Sequence, residues 1–211
     1  AARHQNDLFL YNYTADEIGP NPKLHTPMKE WAANLQAAGI RNLVTMAPIP
    51  ELYREGRSAV DVWVVLPKMY DASKDRIAEV RRKGDEVWSY NAVVQDNYSP
   101  KWELDYAPIN WRIQPGFINQ SLGLTGLLYW RVDWWTREPW SNVYAMPGYP
   151  GEGLLVYPGQ QVGMPGVVPS MRLKYLRDGV DDYDYLALLK RRGEGDWARK
   201  VMQEVGTDWR H

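Results

Sequence analysis

Two adjacent carboxylates, Asp16 and Glu17, follow the apolar and aromatic run Asp-Leu-Phe-Leu-Tyr-Asn-Tyr at 7–13. A carboxyl group at the end of a strand is placed for general acid–base work. The dipeptide alone carries little weight. The chain has 26 acidic residues, and Asp85-Glu86 and Asp181-Asp182 repeat the pattern. Read structurally, Asp16-Glu17 would be a helix-start or loop-capping pair. The stronger chemical signal is aromatic: 11 Trp and 14 Tyr stand against 2 Phe. Phe fills a dry core as well as any aromatic does. Trp and Tyr add a polar edge to a flat apolar face, which complements the C–H face and hydroxyl rim of a sugar. Part of this set must also serve the core, with its N–H and O–H groups satisfied.

Other chemistries find little support. There is no cysteine, which excludes disulfides, thiol nucleophiles and cysteine zinc sites. His4, His25 and His211 lie far apart in sequence, so no metal site is expected. Neither G-x-G-x-x-G nor the P-loop pattern occurs, and no cofactor is expected. A net charge of −1 argues against a nucleic-acid partner, which calls for a basic stripe. No apolar run approaches the ~20 residues of a membrane span. No signal-peptide pattern is visible. The chain starts at Ala1 without Met, which fits an upstream segment removed or left out, and an extracellular or periplasmic setting is compatible.

The elements that would position these groups alternate. Strands are predicted at 7–13, 41–46, 61–66, 86–91 and 126–132. Thr26 and Pro27 read as N-cap and N1 of a helix with Trp31, Leu35 and Ala38 on one face, ended by Gly39. Further helices are predicted at 73–83 and within 106–121. A long Gly- and Pro-rich loop follows at 136–168, with a short hairpin near 153–157. The closing helix, about 169–191, would turn Met171, Leu173, Leu176, Val180, Tyr183 and Leu186 to the core. Gly179 inside it implies close packing, and Arg172 and Arg177 read as buried ion-pair partners. Asp181-Asp182 reads as solvated. An exposed helical tail occupies 193–211. Strand–helix alternation with near-continuous apolar strands means an α/β fold with a parallel sheet. Five strands do not close a barrel of eight, so the sheet is either open or the C-terminal part, about strands 4–8, of a (β/α)8 TIM-type barrel. On the second reading residues 1–192 form the partial barrel, and an upstream segment or a second chain completes it.

In parallel α/β folds the site lies at the C-terminal strand ends. After the first strand come Tyr13, Asp16 and Glu17; after the second, Met46 and Pro48; after the third, Tyr70 and Asp71. The fourth ends in Tyr90-Asn91, and the fifth delivers Trp130, Arg131, Asp133, Trp134 and Trp135. Tyr157 joins this set from the long loop. Carboxylates and aromatics thus converge on one rim. If extended, Trp134 and Trp135 face opposite ways.

Several blocks occur in an ordered series: Ala15-Asp16-Glu17, Gly84-Asp85-Glu86-Val87-Trp88-Ser89-Tyr90, Gly126-Leu127-Leu128-Tyr129-Trp130, Asp133-Trp134-Trp135, Gly153 to Gly159 and Pro169 to Leu186. The first resembles the Asp-Glu signature on the fourth strand of β-N-acetylhexosaminidase-type barrels. Together they resemble the glycoside hydrolase family 123 catalytic domain, a family of β-N-acetylgalactosaminidase activity, over most of 7–190. The resemblance implies a retaining, substrate-assisted mechanism, in which the acetamido oxygen of the substrate attacks the anomeric carbon. Glu17 would be the acid and base, and Asp16 would hold the acetamido N–H. Tyr90 would bond the acetamido carbonyl, Trp130 would floor the sugar and Asp133 would bind hydroxyls. Both carboxylates enter one site only if the chain has left regular strand geometry by residue 16. Two other readings stay open: a retaining glycosidase with a protein nucleophile such as Asp133, and a non-catalytic carbohydrate-binding relative or inactive fragment.

Overall fold

The computed structural model describes residues 8–19, 21–54, 57–93 and 98–210; Asp7, His4 and His211 lie outside them. The chain divides into two units, Ala1–Trp88 and Ser89–His211. The first runs β1 (Tyr11–Asp16), α1 (His25–Ala37), β2 (Arg41–Thr45), a small antiparallel pair β3 (Tyr53–Arg54) and β4 (Arg57–Ser58), β5 (Val62–Val65), α2 (Pro67–Ala72), α3 (Lys74–Arg82) and β6 (Glu86–Tyr90). The last two residues of β6 belong to the second unit. β1 pairs with β2, and β2 with β5, both in parallel. Leu43, Val44 and Val62 to Val65 are fully buried, which is why these strands read as unbroken apolar runs. The polar strand starts are satisfied. Asp61 accepts from the Asn42 N–H at 2.8 Å and from the Arg57 guanidinium at 2.7 Å. Asp85 accepts from the Trp63 indole at 2.9 Å, and Glu86 pairs with Arg41 at 2.9 Å. Burial holds the Asp85 carboxyl above its ordinary range, against the pull of the Trp63 and Ser58 hydrogen bonds.

The second unit continues with α4 (Asn110–Ile113), a π turn over Gln114–Ile118, α5 (Asn119–Leu122), β7 (Gly126–Leu128), β8 (Val156–Pro158), β9 (Val167–Pro169), α6 (Met171–Arg191) and α7 (Gly195–Val205). The π turn begins where Pro115 withholds an N–H from the α-helical ladder. The main sheet has the order β1-β2-β5-β6-β7, so the five predicted strands are its five strands, in chain order. Two bounds differ. β1 starts later than predicted, because its register on β2 begins at Tyr11↔Arg41. β7 stops at Leu128, because the following residues bond to the long loop: Leu155 and Val156 N–H groups reach the Val132 carbonyl. That loop's hairpin also lies later than predicted. β8 pairs antiparallel with β9, from Val156↔Pro169 to Pro158↔Val167.

The helix faces correct the periodicity reading. In α1 the buried residues are His25, Met28 and Ala32, and Trp31 is 62 % exposed. The inward face is therefore turned by one residue, roughly 100°, from the Trp31–Leu35–Ala38 stripe. Thr26 is not the cap; Leu24 holds that place without a side-chain bond. In α6 the buried positions are Arg172, Gly179 and Leu186, seven apart and so about two turns apart on one narrow seam. Met171 and Val180 are 57 % and 49 % exposed; Leu173, Leu176 and Tyr183 are half-buried. Arg177 is exposed and pairs with its neighbour Asp178 at 2.6 Å. Buried Arg172 bonds main-chain carbonyls, Gly151 at 2.8 Å and Leu154, rather than a carboxylate. Asp182, expected in solvent, takes a two-pronged contact from Arg112 at 2.5 and 2.9 Å. The tail helix α7 is amphipathic, with Ala198 and Met202 buried against Leu186 and Phe117. Trp102 and Trp111 stack at 4.0 Å and, with Leu155, form another core cluster.

Gly179 does sit at a close crossing. A Cβ there would lie 2.6 Å from the Arg112 carbonyl oxygen and 2.7 Å from Pro115 Cγ. Overpacking in Gly179→Ala should cost about 1–3 kcal/mol against the ~1 kcal/mol that Ala gains in helix propensity, for a net loss of up to about 2 kcal/mol; thermal denaturation reads the sign. Asp85 gives a pH prediction. Its raised folded pKa means that the native state binds the proton more tightly than the unfolded chain does. Stability is then lost as pH rises from the ordinary carboxylate pKa through the raised one. Asp85→Asn keeps an acceptor for Trp63 and has no charge to bury. In melts across a pH series it should gain on the parent through that window, and the gap should close below it.

Candidate functional site

The C-terminal end of β1 is built around one hydroxyl. Asp16 is the register partner of Thr45, the last residue of β2, and a bulge interrupts the pairing between Tyr13 and Ala15. The buried Thr45 hydroxyl donates to Asp16 Oδ1 at 2.5 Å. It has one proton to give, so the Tyr13 hydroxyl, 3.0 Å away, donates to it. The Glu17 N–H approaches the same oxygen at 3.3 Å and the Thr45 carbonyl at 3.1 Å. Tyr13 is pushed up to about 12, chiefly by burial; the Thr45 hydrogen bond works the other way, and Asp16 adds to the rise.

Glu17 leaves the strand in a left-handed conformation, with φ of 48°. Successive strand residues point to opposite faces, and this kink removes that alternation one residue after Asp16. The break expected by residue 16 comes one residue later: Asp16 is still paired in β1, and the chain leaves strand geometry at Glu17. Both residues are exposed. A non-glycine residue at positive φ is uncommon, and such residues gather at functional sites. Tyr70 lies elsewhere in this unit: it is buried in α2, with burial raising its phenol. Met46, next to Thr45, is buried as well.

In the second unit, Tyr90 is buried at the end of β6. Buried Asn91 is fully engaged in the loop that follows. Its amide donates to the Pro100 carbonyl at 2.7 Å, and its oxygen accepts from the Ala92 N–H at 3.0 Å. Trp130 is brought against Trp134, ring centroids 5.0 Å apart and edge to face, and its indole donates to buried Glu152 at 2.6 Å. Gly153 permits this, since a Cβ there would lie 2.9 Å from both tryptophans. Trp135 sends its indole to the Val156 carbonyl at 2.7 Å instead, so the two neighbouring tryptophans do diverge. Asp133 is exposed and paired with Arg131 at 3.0 Å, and its backbone bridges to Leu154. Tyr157 is half-buried on β8, 4.7 Å from the Trp140 ring.

Thr45, Glu152 and Trp140 contact these residues without having been singled out from the sequence. Thr45 was within reach of the strand-end rule, being the one polar residue that closes Leu43-Val44-Thr45. Glu152, flanked by two glycines, carried no comparable signal. Among the described residues, no group of three or more His, Asp or Glu could hold a metal ion. No described helix is long and apolar enough to cross a membrane.

A family model described as the glycoside hydrolase 123 catalytic domain matches residues 14–189. Among solved structures, the chain is similar to a family 123 glycoside hydrolase from Clostridium perfringens, studied for glycolipid glycan hydrolysis, with a TM-score of 0.60 and 14% identity. The match covers 84% of this chain and 36% of that one, and the likeness is one of fold. No curated protein sequence matches.

The Thr45 hydroxyl can be tested apart from any activity. Thr45→Val keeps the branched shape and removes all three contacts. It should lower stability by about 1 kcal/mol, measured as a shift in the denaturation midpoint at constant denaturant dependence. Thr45→Ser, which keeps the hydroxyl, should still bond Asp16.

Proposed function

The chain belongs to the glycoside hydrolase 123 family, and on that premise we propose that it carries the catalytic carboxylates of a retaining, substrate-assisted glycosidase acting on β-linked N-acetylhexosamine, with N-acetylgalactosamine as the sugar. The observation that carries the reading is the unequal treatment of Asp16 and Glu17. Asp16 is held by Thr45 at 2.5 Å, as suits a carboxylate that must orient a substrate N–H. Glu17 is swung out of the strand by a left-handed backbone, as suits an acid that must reach a leaving oxygen.

The substrate's acetamido oxygen attacks the anomeric carbon while the glycosidic bond breaks, and Glu17 gives its proton to the leaving oxygen. Asp16 accepts the acetamido N–H and stabilises the oxazolinium-like intermediate. Water then adds at the anomeric carbon, with Glu17 taking back a proton. No carboxylate of the protein bonds to the sugar. Tyr13, which shares the Thr45 hydroxyl with Asp16, would support the carboxylate there. The five strands correspond on this reading to strands 4–8 of a (β/α)8 barrel, completed by an upstream segment or a second chain.

With a chromogenic N-acetyl-β-galactosaminide, Glu17→Gln should lower turnover by about 10²- to 10⁴-fold, the usual worth of general acid–base catalysis, and Asp16→Asn should lower it too. A thiazoline mimic of the intermediate should inhibit. Unchanged turnover in Glu17→Gln would remove the catalytic assignment. Loss of turnover in Asp133→Asn, with no thiazoline inhibition, would point to a protein nucleophile.

A further inference from the structure

On the outer edge of β8 the Val156 N–H meets the Val132 carbonyl at 3.0 Å, and the carbonyls beyond it are closed by side chains. Carbonyl groups two residues apart on a strand point to the same edge, and β9 occupies the opposite edge of β8. Trp135 donates its indole N–H to the Val156 carbonyl at 2.7 Å, and Trp140 donates its own to the Pro158 carbonyl at 3.0 Å. Each indole has a single polar atom, and in both it is spent on the main chain. What remains for solvent is the ring itself: Trp135 is 37% and Trp140 43% exposed. Their anchor points lie roughly 6.5–7 Å apart along the strand. Tyr157, between them in sequence along β8, packs on Trp140 at 4.7 Å and 35°.

The segment that carries both rings is fixed by its own hydrogen bonds. The Thr136 hydroxyl bonds the Asn142 carbonyl at 2.6 Å, the Asn142 side chain accepts from the Tyr144 N–H at 3.0 Å, and the Gln161 amide reaches the Arg137 carbonyl at 3.1 Å. The rings therefore keep their orientation without a ligand, which lowers the entropic cost of binding one. Two half-exposed indoles, anchored by their polar edges two residues apart on one strand edge, suit a ligand with successive flat apolar faces and polar rims.

We infer that Trp135 and Trp140 form a stacking platform for successive sugar rings of an oligosaccharide, a binding site carried by the second unit. This rests on the reading of the chain as a carbohydrate-acting protein and extends it from a single sugar to a glycan chain. The competing role is purely structural: indoles that cap an edge strand against pairing.

The test is binding, without turnover. The probes are an oligosaccharide of β-linked N-acetylhexosamine units and free N-acetylgalactosamine, titrated calorimetrically. Trp135→Ala and Trp140→Ala should each weaken oligosaccharide binding about tenfold, equivalent to about 1.4 kcal/mol, so that the preference for the oligosaccharide over the free sugar collapses. Trp140→Phe keeps a stacking face and loses the N–H, and should fall between parent and Ala. Parental affinity in both Ala variants would overturn the platform. So would a parent that binds no oligosaccharide, or a Phe variant as weak as Ala with losses that follow the melting temperature; the last outcome assigns the indoles to edge capping alone. A negative result for Glu17→Gln leaves this measurement intact, so failure of the catalytic reading and failure of the platform are separable.

Discussion

The parallel pairing of β1 with β2 is the constraint on which the first unit's candidate site depends. Parallel strands bring their C-terminal ends to one edge, so the last residue of β1 meets the last residue of β2. Here these are Asp16 and Thr45. The bulge between Tyr13 and Ala15 shifts the register by one residue just before that meeting. Without it the alternation of side chains would place a different residue opposite Thr45. One hydroxyl then serves Asp16, Tyr13 and the Glu17 N–H together. β2 can hold this position because it is itself buried on both faces and paired with β5 on its other side.

The second unit solves a different problem. Its long loop lacks the strand neighbours that would normally satisfy its backbone, and each buried or edge polar group must find another partner. Side chains provide them. Arg172 serves the Gly151 and Leu154 carbonyls, Tyr129 accepts from the Gly153 N–H, and two indoles serve β8. Burial lowers the Arg172 guanidinium pKa, with Tyr157 and Tyr129 acting against that shift. The abundance of Trp and Tyr thus has a structural cause beside any ligand: large side chains with one polar atom can cap a backbone group and cover it at once.

Much of the fold was legible because it depends on local patterns. The unbroken apolar runs at 41–46 and 61–66 have few other outcomes, and β2 and β5 lie within them. Gly179 signalled a crossing because a helix interior rarely keeps a glycine without a reason. Helix faces were less legible. Trp31 is large and apolar, so periodicity assigned it to the core, yet a Trp can stay exposed without penalty to the fold, and only its packing partners decide. Asp182 looked solvated because its partner, Arg112, is 70 residues away in sequence. At the end of β1 the strand-end rule singled out Asp16 and Glu17 but passed over Thr45, whose contacts come from register, a property of two strands rather than one. Asn91 was found by position, and its bonds to Pro100 and Ala92 show it ordering a loop.

The left-handed backbone of Glu17 ties these threads together. Holding a β-carbon in that region costs about 1–2 kcal/mol, and glycine would avoid it. The Glu17 N–H recovers part of the cost through the Thr45 carbonyl at 3.1 Å, since a net backbone hydrogen bond is worth about 1 kcal/mol. Strain retained at an exposed carboxylate, directly after a second carboxylate fixed by a buried hydroxyl, is the pattern of a site where position matters more than stability. The chemistry assigned to Asp16 and Glu17 needs two adjacent carboxylates with different freedom. A regular strand end would set them on opposite faces, and a flexible loop would fix neither. A register-locked Asp16 followed by a kinked Glu17 meets both needs within two residues.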